Sequence, residues 1–138
     1  MRTRQLPPVA AVVSFIDCVN RGDVDGLDRL LTDDHQLCVF NEDPLIGRAA
    51  NVEAWRGYAQ SFPEYVIYPH RIAEQANVVA VLGHTTGSHL GLADVEESRL
   101  TLIWLAEVEN GALRSWRLIE DTPANRARFH LAAEGETT

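Results

Sequence analysis

The chain has 138 residues, 46% hydrophobic and 23% charged, an ordinary globular composition that fits one domain built on one core. Its net charge is −8, and all 12 basic residues are arginines scattered along the chain. Nucleic-acid affinity rests on clustered cations, so binding to a phosphate backbone is disfavoured. No apolar run is long enough to cross a bilayer, and residues Met1 to Pro8 put two prolines where a signal peptide needs an apolar stretch, which points to a cytoplasmic protein with no membrane partner.

Residues Pro8 to Arg21 read as a first helix. Val9, Val12, Val13, Ile16 and Val19 recur at helical spacing with Phe15 at the edge of the stripe, and Gly22 suits its end. A second helix is expected from Asp23 to Leu31, a turn at Asp33–Asp34, and a strand from His35 to Phe40. After the loop Asn41 to Pro44, a third helix is expected from Gly47 to Gln60 with Val52, Trp55 and Ala59 on one side, stopped by Phe62-Pro63-Glu64. Strands follow at Tyr65 to Glu74, Val78 to Ser88, Ser98 to Glu109 and Ala112 to Asp121. A short helix lies within Thr122 to Leu131. The folded core spans about residues 8–131 of a single domain, 1–138, and residues 132–138 read as a flexible tail.

Asn110-Gly111 between alternating apolar runs is the strongest local hairpin signal in the chain. A two-residue turn sets Glu109 opposite Ala112, Arg114 opposite Glu107, Trp116 opposite Leu105, and Arg117 opposite Trp104, where a cation–π contact is expected. On this register Arg117, Ile119 and Asp121 share a face with Leu102 and Trp104. Both faces of the hairpin carry large apolar groups, so both must be covered. Helices cover one, and a second copy of the chain is the economical cover for the other, hence an expected homodimer.

Cys18 and Cys38 lack Cys-x-x-Cys spacing and read as reduced core thiols. The five histidines lack zinc-site spacing, so neither a metal nor an organic cofactor is expected. Asp121 is the most informative candidate. A carboxylate ending a partly apolar strand is costly unless paired, hydrated or used. It reads either as a general acid or base in an apolar cavity or as a strand-end carboxylate that caps the turn at Thr122-Pro123 or pairs with an arginine. Arg117, four residues before it, is about 13 Å away along a flat strand. By alternation, His84 goes with Ala80, Leu82 and Thr86, which suggests an interface histidine.

Several short motifs occur in a telling order: Leu45-Ile46-Gly47-Arg48, Phe62-Pro63-Glu64, Gly87-Ser88-His89-Leu90-Gly91, and Asn110-Gly111-Ala112-Leu113 followed by Trp116-Arg117 and Asp121. Together they resemble the SnoaL-like family of the nuclear transport factor 2-like superfamily, from about Val9 to Asp121. The resemblance implies an α+β cone, also described as cystatin-like, in which a curved mixed or antiparallel sheet wraps N-terminal helices around an apolar cavity. It also implies a matching position for Asp121 as an acid or base in cyclases and limonene-epoxide-hydrolase-like enzymes. Elsewhere the chain departs from those enzymes. The isomerase base falls near Val39, the water-holding pair of the epoxide hydrolases near Leu37 and Val39, and their Arg and Asp near Gly83 and Thr85.

The expected function is therefore binding of a small apolar or polycyclic molecule in the cone, with cofactor-independent chemistry of the cyclase, isomerase or hydrolase type at Asp121. Arg117 or His89 would stabilise developing charge. The cavity walls are expected to include Phe15, Leu37, Val39, Trp55, Tyr58, Val81, Thr85, Leu102, Trp104 and Ile119. The alternative is a non-catalytic binding or dimerisation module, which the absence of a second catalytic acid favours.

Overall fold

The computed structural model describes residues 5–133; the expected tail from residue 134 onward lies outside the described residues. Helices α1 (Pro8–Arg21), α2 (Val24–Arg29) and α3 (Arg48–Ser61) stand against a six-stranded sheet of β1 (Leu31–Val39), β2 (Leu45–Ile46), β3 (Val66–Gln75), β4 (Val78–Thr86), β5 (Leu102–Glu109) and β6 (Ala112–Glu120). The order is β2-β1-β6-β5-β4-β3. β1 runs parallel to β6 and every other pair is antiparallel. Single-turn helices α4 (Asp94–Glu97) and α5 (Pro123–Arg128) complete the chain. This is the α+β cone expected from sequence: an open, curved mixed sheet with its concave side on the helices.

Local chemistry sets the ends of α1. Pro8 supplies a preset φ where no N–H partner is needed, and Gly22 closes the helix in the left-handed conformation at φ 66°, its N–H reaching the Cys18 and Val19 carbonyls. The buried stripe is rotated from the expected one. Ala11, Val12, Phe15 and Ile16 are buried, whereas Val13 is 48% exposed. Phe15 occupies the centre because its ring packs against Trp116 at 4.7 Å and Trp55 at 5.9 Å. The Asn20 side chain then clamps α1 to the sheet, donating to the Ile67 carbonyl at 3.0 Å and accepting the Ile67 N–H at 2.8 Å.

The Asp33–Asp34 turn is replaced by strand, because β1 begins at Leu31. Its register against β6 is irregular between Leu31 and Gln36, which lets both acids face solvent, Asp33 2.9 Å from Arg48 and Asp34 3.6 Å from Arg114. Asn51 seats α3. Fully buried, its Nδ2 donates toward the carbonyls of His35, Leu45 and Gly47. The strand expected from Ser98 starts only at Leu102, and α4 occupies part of the preceding segment.

The β5–β6 hairpin carries the most consequential correction. Asn110 (φ 53°) and Gly111 (φ 81°) form the expected turn with both φ positive, and Glu109 pairs with Ala112. A bulge between Glu107 and Val108 then makes Arg114 an extra residue, so Ser115 lies opposite Glu107, Trp116 opposite Ala106 and Leu118 opposite Trp104. One inserted residue reverses the alternation. Trp116 and Leu118 turn to the concave face with Trp104, while Arg117 and Ile119 turn to the outer face, opposite Leu105 and Ile103. The expected Arg117–Trp104 contact does not form; Trp104 stacks on Trp116, centroids 6.1 Å apart.

The outer face is covered in part by the chain itself. Phe129 and Leu131, following α5, pack with Ile119 against Ala80, Leu82 and Ile103. His84 lies on this face, as its alternation with Ala80 and Leu82 requires.

Candidate functional site

Asp121 follows directly on β6, on the outer side. Thr101 donates its hydroxyl to Asp121 Oδ2, because the β5–β6 register, continued one pair beyond Leu102 and Glu120, brings these two residues together. From α5, Arg126 makes a two-pronged pair with the carboxylate, Nε to Oδ1 at 2.7 Å and Nη2 to Oδ2 at 2.8 Å. The Arg126 guanidinium, with help from Thr101, holds the Asp121 carboxyl below the usual carboxylate range despite partial burial. A carboxylate so saturated is a structural anchor for α5. Arg117 lies away from it in an outer groove of about 410 Å³ that also takes in Ile119, Asn125 and Phe129. Asp121, Arg117 and His89 are therefore not brought together.

The cone holds a different constellation. A cavity of about 230 Å³ is lined by Leu37 and Val39 of β1, Ala54, Trp55 and Tyr58 of α3, Tyr65 just before β3, His89 beyond β4, Trp104 of β5, and Trp116 and Leu118 of β6. Each contribution follows from local periodicity. Residues two apart on β1 and β6 share a face, and positions 54, 55 and 58 share one side of a helix. Of the expected wall residues, Leu37, Val39, Trp55, Tyr58 and Trp104 line this cavity. Phe15, Val81 and Leu102 lie in or against the core behind it, Thr85 is buried against Glu97, and Ile119 is on the outer face. Trp116 and Leu118 escape sequence reasoning because the bulge hides their direction, and Tyr65 because it precedes the paired part of its strand.

His89 is fixed by its turn. Gly87 adopts φ 71°, and a Cβ there would sit 2.3 Å from the Glu64 carbonyl oxygen, so only glycine permits the bend. Glu97, 1% exposed, accepts from the Thr85 hydroxyl and from the Ser88 N–H at 3.3 Å, tying α4 to the end of β4 and to the turn. The His89 backbone N–H donates to the Tyr58 oxygen at 3.1 Å, and Tyr58 lies 2.9 Å from His89 Nδ1. The phenol accepts the first bond, and the direction of the second follows the imidazole tautomer. Tyr65 stands edge-on to Tyr58 with centroids 4.9 Å apart. Burial pushes the Tyr65 phenol far above its usual range, with Tyr58 and Glu97 adding to the effect. Burial also raises Tyr58, opposed by its bond from His89.

Other titratable groups serve the fold. His35, fully buried, donates from Nδ1 to the Leu113 carbonyl at 2.7 Å, and its Nε2 has no partner among the described residues. Burial lowers its pKa, opposed by the Leu113 bond. His70 Nε2 and His84 Nδ1 lie within hydrogen-bond distance, 2.7 Å apart, on the outer side. Cys18 and Cys38 are both free and buried. Among the described residues no three His, Cys, Asp or Glu side chains converge to hold a metal ion, and no helix is long and apolar enough to cross a membrane.

A family model described as a SnoaL-like domain matches residues 12–116. No curated protein matches the chain. Among solved structures, a cystatin-fold protein from Novosphingobium aromaticivorans superposes with a TM-score of 0.72 at 16% identity, covering 83% of this chain and 99% of that one. IdmH from Streptomyces antibioticus, assigned as a polyketide cyclase, gives 0.64 at 19% identity over 83% and 91%. An LEH-like epoxide hydrolase from M. tuberculosis gives 0.64 at 18% identity over 80% of each chain. At these identities the likeness establishes the fold alone.

Proposed function

Because the chain belongs to the SnoaL-like family, we propose that it binds a small apolar or polycyclic molecule in the cone cavity. One observation carries this reading. All three tryptophans of the chain line the cavity together with two tyrosines, His89 and aliphatic side chains, and among the described residues no arginine or carboxylate lines it. A cavity of about 230 Å³ lies below the range of roughly 300–1,000 Å³ usual for drug-sized ligands, which favours two fused rings over four. Acid–base chemistry, where it occurs, falls to His89 and Tyr58, since Asp121 is spent on Arg126 and Thr101. That saturation of Asp121 also favours a second reading, a binding module without turnover.

The three tryptophans make the test direct. Titration with a naphthalene derivative should change intrinsic fluorescence saturably, and Val39→Phe, which fills the cavity, should weaken binding at least about tenfold. A linear, unsaturable response, or a Val39→Phe variant that binds normally, overturns the proposal. Turnover is separated from binding by following exchange of the proton α to the carbonyl of a bound ketone with deuterium from solvent. Acceleration that His89→Gln abolishes supports the enzyme, and no acceleration supports the binding module. The same reading includes a homodimer formed through the outer face, where Tyr68 is 41% exposed beside His84; sedimentation as a monomer at micromolar concentration would remove it. It also places the protein in the cytoplasm, where Cys18 and Cys38 stay reduced; recovery from the secreted fraction would remove that placement.

A further inference from the structure

The cone leaves Arg117 without a role. The bulge at Arg114 turns this side chain onto the outer face, opposite Leu105. There it lines a groove of about 410 Å³ between β5, β6 and α5, over an apolar floor of Leu105, Ile119 and Phe129. That volume falls within the range of roughly 300–1,000 Å³ usual for small-molecule sites. Arg128 lines the same groove, its guanidinium 5.2 Å from the centroid of the Phe129 ring. Arg21, Arg48, Arg56, Arg114 and Arg126 all pair with carboxylates, whereas Arg117 and Arg128 have no carboxylate partner among the described residues. The polar contact Arg117 does make is with Cys38 Sγ at 3.9 Å. Glu107, the acid on the groove wall, is engaged by Arg114 at 3.6 Å. On a chain of net charge −8, this hollow is thus a local excess of positive charge.

We infer that this groove is a second ligand site, separate from the cone, and that it takes a small amphipathic carboxylate. The apolar body of the ligand covers Leu105, Ile119 and Phe129, and its charge is met by Arg117 and Arg128. A guanidinium is weakly hydrated, and its planar fork matches a carboxylate through two parallel hydrogen bonds. Both halves of the ligand are needed. An inorganic anion satisfies the arginines but leaves the floor in water, and a hydrocarbon covers the floor but leaves both cations unpaired. The groove lies beside Val78, at the start of β4, about 20 Å along that strand from His84. It therefore occupies a different part of the outer face from Tyr68 and His84.

Titration of 15N-labelled protein with 2-naphthoate, followed through amide chemical shifts, tests this. The amides of Leu105, Arg117, Ile119 and Phe129 should shift saturably, in the parent and equally in Val39→Phe, whose cone is filled. Arg117→Gln and Arg128→Gln should each weaken the binding read at those amides about fivefold, and raising salt from about 0.05 M to about 0.5 M should weaken it in the parent. Both side chains are exposed, so both variants should keep the parental unfolding midpoint in urea. 2-Ethylnaphthalene, the same body without the charge, should bind the groove at least about fivefold more weakly than 2-naphthoate, and acetate, the charge without the body, should bind more weakly still. Shifts confined to Leu37, Val39 and Leu118 would put the carboxylate in the cone and overturn the groove assignment. Equal 2-naphthoate affinity in the parent and both glutamine variants would overturn it too. So would groove amides that respond to protein concentration and ignore 2-naphthoate, which would give the groove to a second copy of the chain.

Discussion

Replacing Asp121 by asparagine separates the structural from the chemical role of this residue. The side chains of Asp121 and Arg126 are 8% and 25% exposed, and the pair closes at 2.7 and 2.8 Å. Removing one partner of a fully buried ion pair costs about 3–5 kcal/mol, whereas an exposed pair is worth about 0–1 kcal/mol. Asparagine keeps the volume and one acceptor, and Arg126 is open enough to recover some hydration, so the expected loss is about 2 kcal/mol. With a urea dependence of about 2 kcal/mol per molar, the unfolding midpoint should fall by about 1 M.

The pH dependence of that loss has a definite sign. Arg126 and Thr101 lower the folded-state pKa of Asp121, so its contribution is complete above the unfolded value of about 3.9 and disappears as pH falls through the lower folded value. The parent and variant should therefore differ fully at neutral pH and converge progressively as pH falls below the unfolded value of about 3.9. Naphthalene binding should be unchanged at a pH where both are folded, because Asp121 does not line the cone cavity. An Asp121→Asn variant of parental stability that had lost binding or turnover would refute the assignment of Asp121 as an anchor.

Two further substitutions probe the parts that carry His89 and seal the β1–β6 seam. Gly87→Ala forces a Cβ to within 2.3 Å of the Glu64 carbonyl oxygen at φ 71°; it should cost at least about 2 kcal/mol in urea unfolding and weaken ligand binding as the turn shifts, and a loss under about 0.5 kcal/mol would show that the turn is not constrained as described. His35→Gln should flatten the acid side of the stability profile: burial lowers the His35 pKa, so its neutral form is favoured on folding, stability is complete above the unfolded value of about 6.5, and it declines toward the folded value by at most about 1.4 kcal/mol per pH unit. Parallel parent and variant profiles between pH 6.5 and pH 5 would remove His35 as the cause.

Local signals in the sequence were faithful wherever the physics is local. Gly22 closes a helix and Asn110-Gly111 closes a hairpin because both need positive φ and little else. Alternation placed His84 on the outer face because β4 is regular along its length. It failed on β6, where the bulge at Arg114 is favoured by contacts remote in sequence: Leu113 pairs with Leu31, and Trp116 meets Phe15. No neighbour of Arg114 announces that bulge. Likewise Arg126, the partner of Asp121, is positioned by a helix whose start depends on the Thr122 cap, whose hydroxyl accepts the Asn125 N–H at 3.0 Å.

The positions where related enzymes keep catalytic groups are here occupied for reasons the structure makes plain. At position 83, near the arginine of the epoxide hydrolases, a Cβ would lie 2.2 Å from the Tyr68 carbonyl oxygen, because the β3–β4 register shift between Pro69 and Arg71 brings the two backbones together at that point. An arginine cannot be restored there without moving the strand. Thr85, near their acid, is committed to the buried Glu97 and through it to the turn that carries His89. Leu37 and Val39, near the water-holding pair and the isomerase base, form the apolar wall of the cavity. Each departure thus removes water-activating or proton-accepting capacity from the sheet while leaving the opposite wall its tyrosines and histidine. Among the described residues of the cavity wall, the Tyr58 and Tyr65 hydroxyls and the His89 imidazole are the groups with a proton to give or take.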